Sequence, residues 1–176
     1  DEVRYYAEQN LKGCYQKRQL EAARFMWYDG IELMLKNKWA DAIEIFKQAA
    51  LKKEGWGWAV NYGDIWLSEA VAVILQGVEA AQDKSNIEEI EWVNTAEKLL
   101  GKALLRANES GVFGEKGHPW STEVDMSLKS YKELISHGKD TNEWLTQFKS
   151  RTIYWCSQVL SGGFPFPPKV RARLDS

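Results

Sequence analysis

Apolar residues recur at intervals of three and four between residues 23 and 54, which is the spacing of an amphipathic helix. The pattern runs from Phe25 to Leu35, stops at the polar residues 36–38, and resumes from Trp39 to Ala50. Because this interruption is so short, the two helices should run antiparallel. The sequence therefore predicts a helical hairpin.

Small residues mark the point where the two helices of this hairpin cross. Gly30 lies in the first helix, and Ala42, Phe46 and Ala49 lie in the second. Glycine and alanine let the backbones approach, while Phe46 and Trp39 fill the space beside them. This order resembles the tetratricopeptide family, whose repeat of about 34 residues pairs a glycine-containing first helix with an Ala-x3-Phe second helix.

The resemblance covers one repeat and has departures from the family pattern. Met26, Asp29, Leu33 and Glu54 stand where the family often has Trp, Leu, Tyr and Pro. The resemblance implies a right-handed superhelix of stacked antiparallel hairpins. An ordinary helical hairpin that happens to place Gly and Ala in this way is the alternative.

The same periodicity continues through most of the chain, and almost no proline interrupts it before residue 160. We therefore expect an all-α fold of about six to seven helices in one domain over residues 1–160. The predicted units are a capping helix at 1–22, the best repeat at 23–54, a second pair at 58–107, a third pair at 121–160 and an extended Pro-rich tail at 161–176.

Two helix starts carry capping residues. Asp140 followed by Glu143 has the spacing of a capping box, and Ser121 or Thr122 is suited to cap the helix of the third pair that precedes it. The helix at 1–22 should either continue into the first hairpin or pack beside it.

Charge and hydropathy limit the kinds of partner. The formal net charge is -2, which gives no basic surface for nucleic acid. The longest apolar stretch, Ile65 to Val78, is interrupted by polar residues, so no membrane span is expected. The chain begins at Asp1, from which we expect that an N-terminal segment has been removed. The protein could then be cytoplasmic or exported, for example to the periplasm. The sequence does not indicate an oligomeric state.

Two cysteines, Cys14 and Cys156, lie in the predicted first and last helices. A disulfide between them would join the termini, which a closed bundle allows and an extended solenoid does not. The favoured alternative is that both are free thiols packed as small apolar groups.

No motif of catalysis, metal binding or cofactor binding is present. The two histidines, His118 and His137, have no further ligands at metal-binding spacing. We therefore predict a protein that is not an enzyme and that holds no cofactor and no metal.

Two hypotheses of binding remain. In the first, a scaffold binds a peptide or a partner protein, and the resemblance implies that the exposed face of the first helix does so through Arg24, Tyr28, Glu32 and Lys36. In the second, helices close around a small molecule in an aromatic pocket. The pocket residues would be four of the nine tryptophans, namely Trp56, Trp58, Trp66 and Trp120.

Overall fold

The computed structural model describes residues 2–53, 59–82, 89–110 and 119–161, apart from some side chains that include those of residues 12–22 and 24. The described residues form six helices, which confirms the predicted all-α class. They are α1 (Glu2–Leu35), α2 (Trp39–Lys53), α3 (Ala59–Gln82), α4 (Glu89–Ser110), α5 (Pro119–Ser136) and α6 (Asn142–Leu160). None of these helices is long and apolar enough to cross a membrane.

The first two helices form the predicted hairpin. The capping helix and the first helix of the hairpin are one continuous helix, α1. It ends at a turn in which Asn37 takes a positive φ of 58°, a conformation that asparagine tolerates better than most residues. Beyond the turn, the ring of Phe46 lies so close to Gly30 that a Cβ atom at Gly30 would overlap it. Glycine is therefore required for this close packing.

Helix α3 is the centre of the molecule. It contacts each of the other five described helices. Between Asp64 and Val78 every residue is buried except Trp66, which is half-buried, and Gln76. The apolar stretch noted in the sequence is thus a core helix surrounded by its neighbours, which explains why its apolar residues do not follow a single stripe.

Polar contacts fix α3 against the hairpin at two levels. The indole N–H of Trp27 donates to the Ser68 hydroxyl (2.8 Å), which donates to the backbone oxygen of Asp64 (2.6 Å). At the other end of α3, the indole N–H of Trp39 donates to the carboxylate of Glu79 (2.9 Å). Buried hydroxyl and indole groups are thereby hydrogen-bonded, as burial requires.

The last helix returns to the first. Helix α6 packs against both α1 and α3, and an ion pair joins Lys149 of α6 to Glu79 of α3. In stacked repeats each hairpin contacts only its neighbours. The expected right-handed superhelix is not confirmed, because contact between α1 and α6 gives a closed arrangement around α3.

The ends of α5 and α6 differ in part from the predictions. Helix α5 begins at Pro119, a residue suited to a first helical turn, so Ser121 and Thr122 lie inside the helix rather than at its cap. At the start of α6, the Asp140 carboxylate accepts the backbone N–H of Asn142 (2.9 Å). The N-cap residue of α6 is Thr141, which makes no side-chain capping bond, and Asp140 precedes it, so the predicted capping box of Asp140 with Glu143 is wrong.

Cys156 carries a free, buried thiol, and burial raises its pKa to about 12. The side chain of Cys14 lies outside the described residues, as does the Pro-rich segment from residue 162 onward.

Candidate functional site

A groove lies between α5 and α6. The two helices run antiparallel, so that Trp120 faces Trp155 at one end and Ser127 faces Trp144 near the other. The groove has a volume of about 720 Å³. We call it the α5–α6 groove.

Aromatic rings hold the two helices apart along this groove. Trp120 of α5 stacks on Trp155 of α6 with 5.7 Å between ring centroids and 18° between planes. Trp144 lies 4.9 Å from Tyr131 of α5 and stacks on Phe148 of its own helix at 4.8 Å. Because whole rings rather than small residues stand between the backbones, space remains beside them.

The lining of the groove combines apolar surface with hydrogen-bonding groups. Its apolar side chains are Trp120, Met126, Trp144 and Phe148. Its uncharged polar side chains, which come from both helices, are Thr122, Ser127, Ser130, Gln147 and Ser150. An open apolar floor with polar groups along its walls is the usual composition of a binding site.

An ion pair spans the groove at one position. Arg151 of α6 donates from Nε to Oε1 of Glu123 (2.6 Å) and from Nη2 to Oε2 (2.9 Å). These hydrogen bonds, together with the charge of Glu123, raise the pKa of the Arg151 guanidinium. The paired arrangement fixes the register of the two helices, since a guanidinium and a carboxylate match best in this two-bond geometry.

Met126 is the most exposed apolar side chain of the lining, with 65% of its surface accessible. It lies one helical turn from Glu123 and Ser130 on the same helix. A flexible thioether at the mouth of an aromatic groove can adapt to differently shaped apolar groups. The groove can therefore accept an apolar side chain by non-covalent contact.

The four residues of α1 that were predicted to bind a partner differ in how exposed they are. Glu32 and Lys36 are exposed, whereas Tyr28 is half-buried with its ring 5.4 Å from that of Trp27. The side chain of Arg24 lies outside the described residues. The role of these four residues in binding stays a prediction.

The four tryptophans predicted to form a pocket have different surroundings. Trp56 and Trp58 lie outside the described residues. Trp120 lines the α5–α6 groove, whereas Trp66 on α3 has the ammonium group of Lys102 above its ring at 5.6 Å. The pocket of four tryptophans stays a prediction.

No motif in the sequence marks Met126, Ser130 or the pair Glu123–Arg151 as candidate site residues. Glu123 and Arg151 are 28 residues apart in the chain, and they meet only through the antiparallel pairing of α5 with α6. These residues can be located only when the register of α5 against α6 is known, because no local motif marks them.

Within the described part of the chain, no group of three or more His, Cys, Asp or Glu side chains is arranged to hold a metal ion. His118 lies outside the described residues, and Nδ1 of His137 lies 2.8 Å from the backbone oxygen of Glu133 at the end of α5. His137 thus completes hydrogen bonding at a helix terminus.

Comparisons with protein-family models, with curated proteins and with solved structures give no match to this chain.

Proposed function

We propose that this protein binds a segment of a partner protein in the α5–α6 groove and has no catalytic role. The observation that carries the proposal is the separation of α5 from α6 by stacked rings, which leaves an open, aromatic groove of about 720 Å³ beside the exposed Met126. Apolar surface that stays accessible in a folded domain is typical of an interaction site.

An extended peptide suits this groove because hydroxyl and amide groups line both walls. Ser127 and Ser130 come from α5, and Gln147 and Ser150 come from α6. Such side chains can donate to peptide carbonyl groups and accept from peptide N–H groups. Phe148 and Trp144 would then contact an apolar side chain of the peptide.

The tetratricopeptide resemblance supports the same class of function by analogy, although it directs attention to another surface. It implies binding on the first helix of the repeat, where Glu32 and Lys36 are exposed. We propose that the groove is the primary site, since it offers apolar area that a row of charged side chains lacks.

The proposal is tested by selecting peptides from a random phage-displayed library and measuring their affinity by fluorescence polarisation. The test variant is Met126→Glu, which places a charge at the mouth of the groove without touching the core. The matched control is Leu51→Glu on α2, because Leu51 is 67% exposed and Met126 is 65% exposed.

We expect Met126→Glu to lower the affinity of the selected peptides by about tenfold or more, since an apolar contact of about 1.4 kcal/mol is replaced by a desolvated charge. Leu51→Glu should leave affinity unchanged. Peptides that bind Met126→Glu as tightly as the unmodified protein would show that the groove is not the site.

A small-molecule site is the second candidate, favoured by the stacking of Trp120 on Trp155 at one end of the groove. It predicts that small aromatic compounds saturate the groove and compete with the selected peptides. A photo-crosslinking residue at position 130, used in the native cell, distinguishes a protein partner from a small molecule. A protein partner gives a crosslinked protein adduct, and a small ligand does not. Position 48 on α2, occupied by the exposed Gln48, serves as the crosslinking control.

A further inference from the structure

One end of the α5–α6 groove lies within about three helical turns of the end of α6. Arg151 lines that end, and Trp155, about one turn further along α6, stacks on the groove residue Trp120. Helix α6 ends at Leu160, and residues 162–176 follow outside the described structure. The segment that follows α6 therefore begins close to the groove.

The sequence after Ser161 is suited to turn back and then to stay extended. Gly162 and Gly163 come first, and glycine allows a sharp reversal of the chain because it accepts backbone angles that other residues disfavour. Phenylalanine and proline alternate over 164–168. Because a residue before proline is disfavoured in a helix, we expect this stretch to be extended. Extended proline-rich segments bind aromatic-lined grooves at low entropic cost.

The length of this segment matches the length of the groove. The α6 residues that line the groove run from Arg151 to Trp144. Measured back from Ser161 at 1.5 Å per residue, Arg151 lies about 15 Å and Trp144 about 25 Å along the helix. An extended segment that advances by about 3.1 Å per residue needs about eight residues to cover the same 25 Å. Residues 164–171 are therefore sufficient to run along the whole groove.

The chemistry of the segment matches that of the groove at both ends in this alignment. The apolar stretch 164–168 comes first, at the end of the groove where Trp120 lies. Three basic residues follow and come level with the start of α6, where two exposed carboxylates, Asp140 and Glu143, outnumber the exposed Lys139. The basic residues are Lys169, Arg171 and Arg173. Such complementarity favours one direction of the segment along the groove.

We propose that residues 164–173, the tail segment, occupy the α5–α6 groove of the same molecule and compete there with the partner segment. The competition rests on the proposed function, because it requires that the groove be the site of the partner. A short covalent tether keeps the tail segment at an effective concentration of about millimolar. Only a partner segment that binds tightly enough to displace it should therefore occupy the groove.

Disulfide trapping in the full chain tests whether the tail segment lies in the groove. Met126 is one turn along α5 from Glu123, which pairs with Arg151, so in the proposed alignment it is about level with Val170. A disulfide forms only where two Cβ atoms come within about 4.5 Å, so the pair Met126→Cys and Val170→Cys reports this contact. Peptide mapping by mass spectrometry measures the linked fraction in dilute protein after mild oxidation.

The matched control moves the first cysteine to α2. Leu51→Cys replaces Met126→Cys, because Leu51 is 67% exposed and Met126 is 65% exposed. Both chains carry Cys14→Ser, and Cys156 is retained because its thiol is buried. A non-reducing gel separates disulfides within one chain from disulfides between two chains.

Peptide binding tests whether the tail segment competes. The probe is a fluorescein-labelled synthetic peptide with the sequence of residues 162–173, and its binding is followed by fluorescence polarisation. The test protein is the full chain with Phe164→Ser and Phe166→Ser, changes that lie outside the six helices. The control is Leu174→Ser, because Leu174 follows the tail segment.

We expect an intramolecular disulfide in most chains that carry Met126→Cys with Val170→Cys, and in few chains of the Leu51→Cys control. The peptide should bind the double serine variant at least about tenfold more tightly than it binds the unmodified chain or Leu174→Ser, because the tethered competitor has lost its aromatic contacts. Adding Met126→Glu to the double serine variant should remove this gain.

Equal disulfide yields in the two cysteine pairs, or a disulfide only between two chains, would overturn the proposal. An unchanged peptide affinity in the double serine variant would also overturn it. If library peptides still bind in either case and lose affinity in Met126→Glu, the proposed function stands and only this inference fails. If the disulfide forms selectively but no library peptide binds the double serine variant, the tail segment occupies the groove and the proposed function fails.

Discussion

The first four helices and the α5–α6 pair both depend on large aromatic rings, but the rings meet different partners. In α1–α4 a ring lies against glycine, as Phe46 does at Gly30 and Trp92 does at Gly77. In α5–α6 a ring lies against another ring, as Trp120 does at Trp155. The first arrangement brings backbones together, and the second keeps them further apart.

Large aromatic rings thus pack between these helices in two different ways. A glycine opposite a ring lets two helix backbones approach. Phe46 against Gly30 is fully buried, whereas Trp92 against Gly77 is partly exposed and borders a groove beside α2. Two stacked rings keep the helix backbones further apart. Trp120 and Trp155 are themselves buried, and the exposed Met126 and several hydroxyl groups line the space beside them. If the two regions also differ in stability, substitutions of their buried rings should change the free energy of unfolding by different amounts.

The largest expected effect is on the stability of the α1–α4 region. Phe46 is fully buried, so Phe46→Ala should lower the free energy of unfolding by about 3–5 kcal/mol. Phe148 is also buried, but it borders the groove, where neighbouring side chains have room to relax, so Phe148→Ala should cost about 3 kcal/mol, the lower end of the same range. Urea unfolding followed by circular dichroism measures both. Equal losses would remove the energetic difference between the two regions.

Alkylation of Cys156 shows whether α5–α6 opens separately from the rest. In a Cys14→Ser background, the raised thiol pKa of about 12 lowers the thiolate fraction by about a thousandfold relative to a free cysteine, so labelling at about pH 8 should be slow. The rate should rise sharply in urea.

The same labelling, repeated in two variants, compares the regions directly. If α6 opens alone, Phe148→Ala accelerates the labelling of Cys156 and Phe46→Ala leaves it almost unchanged. If the domain opens only as a whole, Phe46→Ala gives the greater acceleration, because it lowers the global stability more. The second pattern would contradict separate opening of the α5–α6 pair.

The sequence was most informative where one local pattern decided the structure. The polar break at 36–38 and the spacing of Gly30, Ala42 and Phe46 predicted the α1–α2 hairpin, and the structure has the same turn and the same glycine–ring contact. Such contacts connect residues near one another in the chain, so spacing alone is enough to find them.

Packing between distant segments could not be predicted in the same way. The contact of α6 with α1 and the pairing of Arg151 with Glu123 depend on the order of helices around α3, which no local period encodes. Trp120 is one of the four tryptophans of the predicted pocket, but its stacking partner Trp155 is not among them. The groove therefore became visible only with the three-dimensional register.

Glycine substitutions should change stability by smaller amounts. Gly30→Ala gains about 1 kcal/mol of helix propensity but forces the new Cβ into the Phe46 ring, so a net loss of about 1–2 kcal/mol is expected. Gly101→Ala is the matched control, because nothing lies within 4 Å of a Cβ built there. It should stabilise the protein by about 0.5–1 kcal/mol. Thermal unfolding of both variants measures these changes in stability. If Gly30→Ala stabilises the protein, the α1–α2 crossing can widen to accept the new Cβ atom.

The smallest effects should come from the ion pairs of α6. Arg151 is more than half exposed and Glu123 is partly exposed, so Arg151→Gln should barely change the melting temperature, and the remaining difference should vanish in about 1 M salt. Lys149 and Glu79 are about two-thirds buried, and Glu79 also accepts the N–H of Trp39. Lys149→Gln should therefore cost more, about 0.5–1 kcal/mol, and lose less of that cost in salt. Melting curves at low and high salt test this order. A larger salt-sensitive loss for Arg151→Gln would mean that this ion pair, rather than ring stacking, holds α5 against α6.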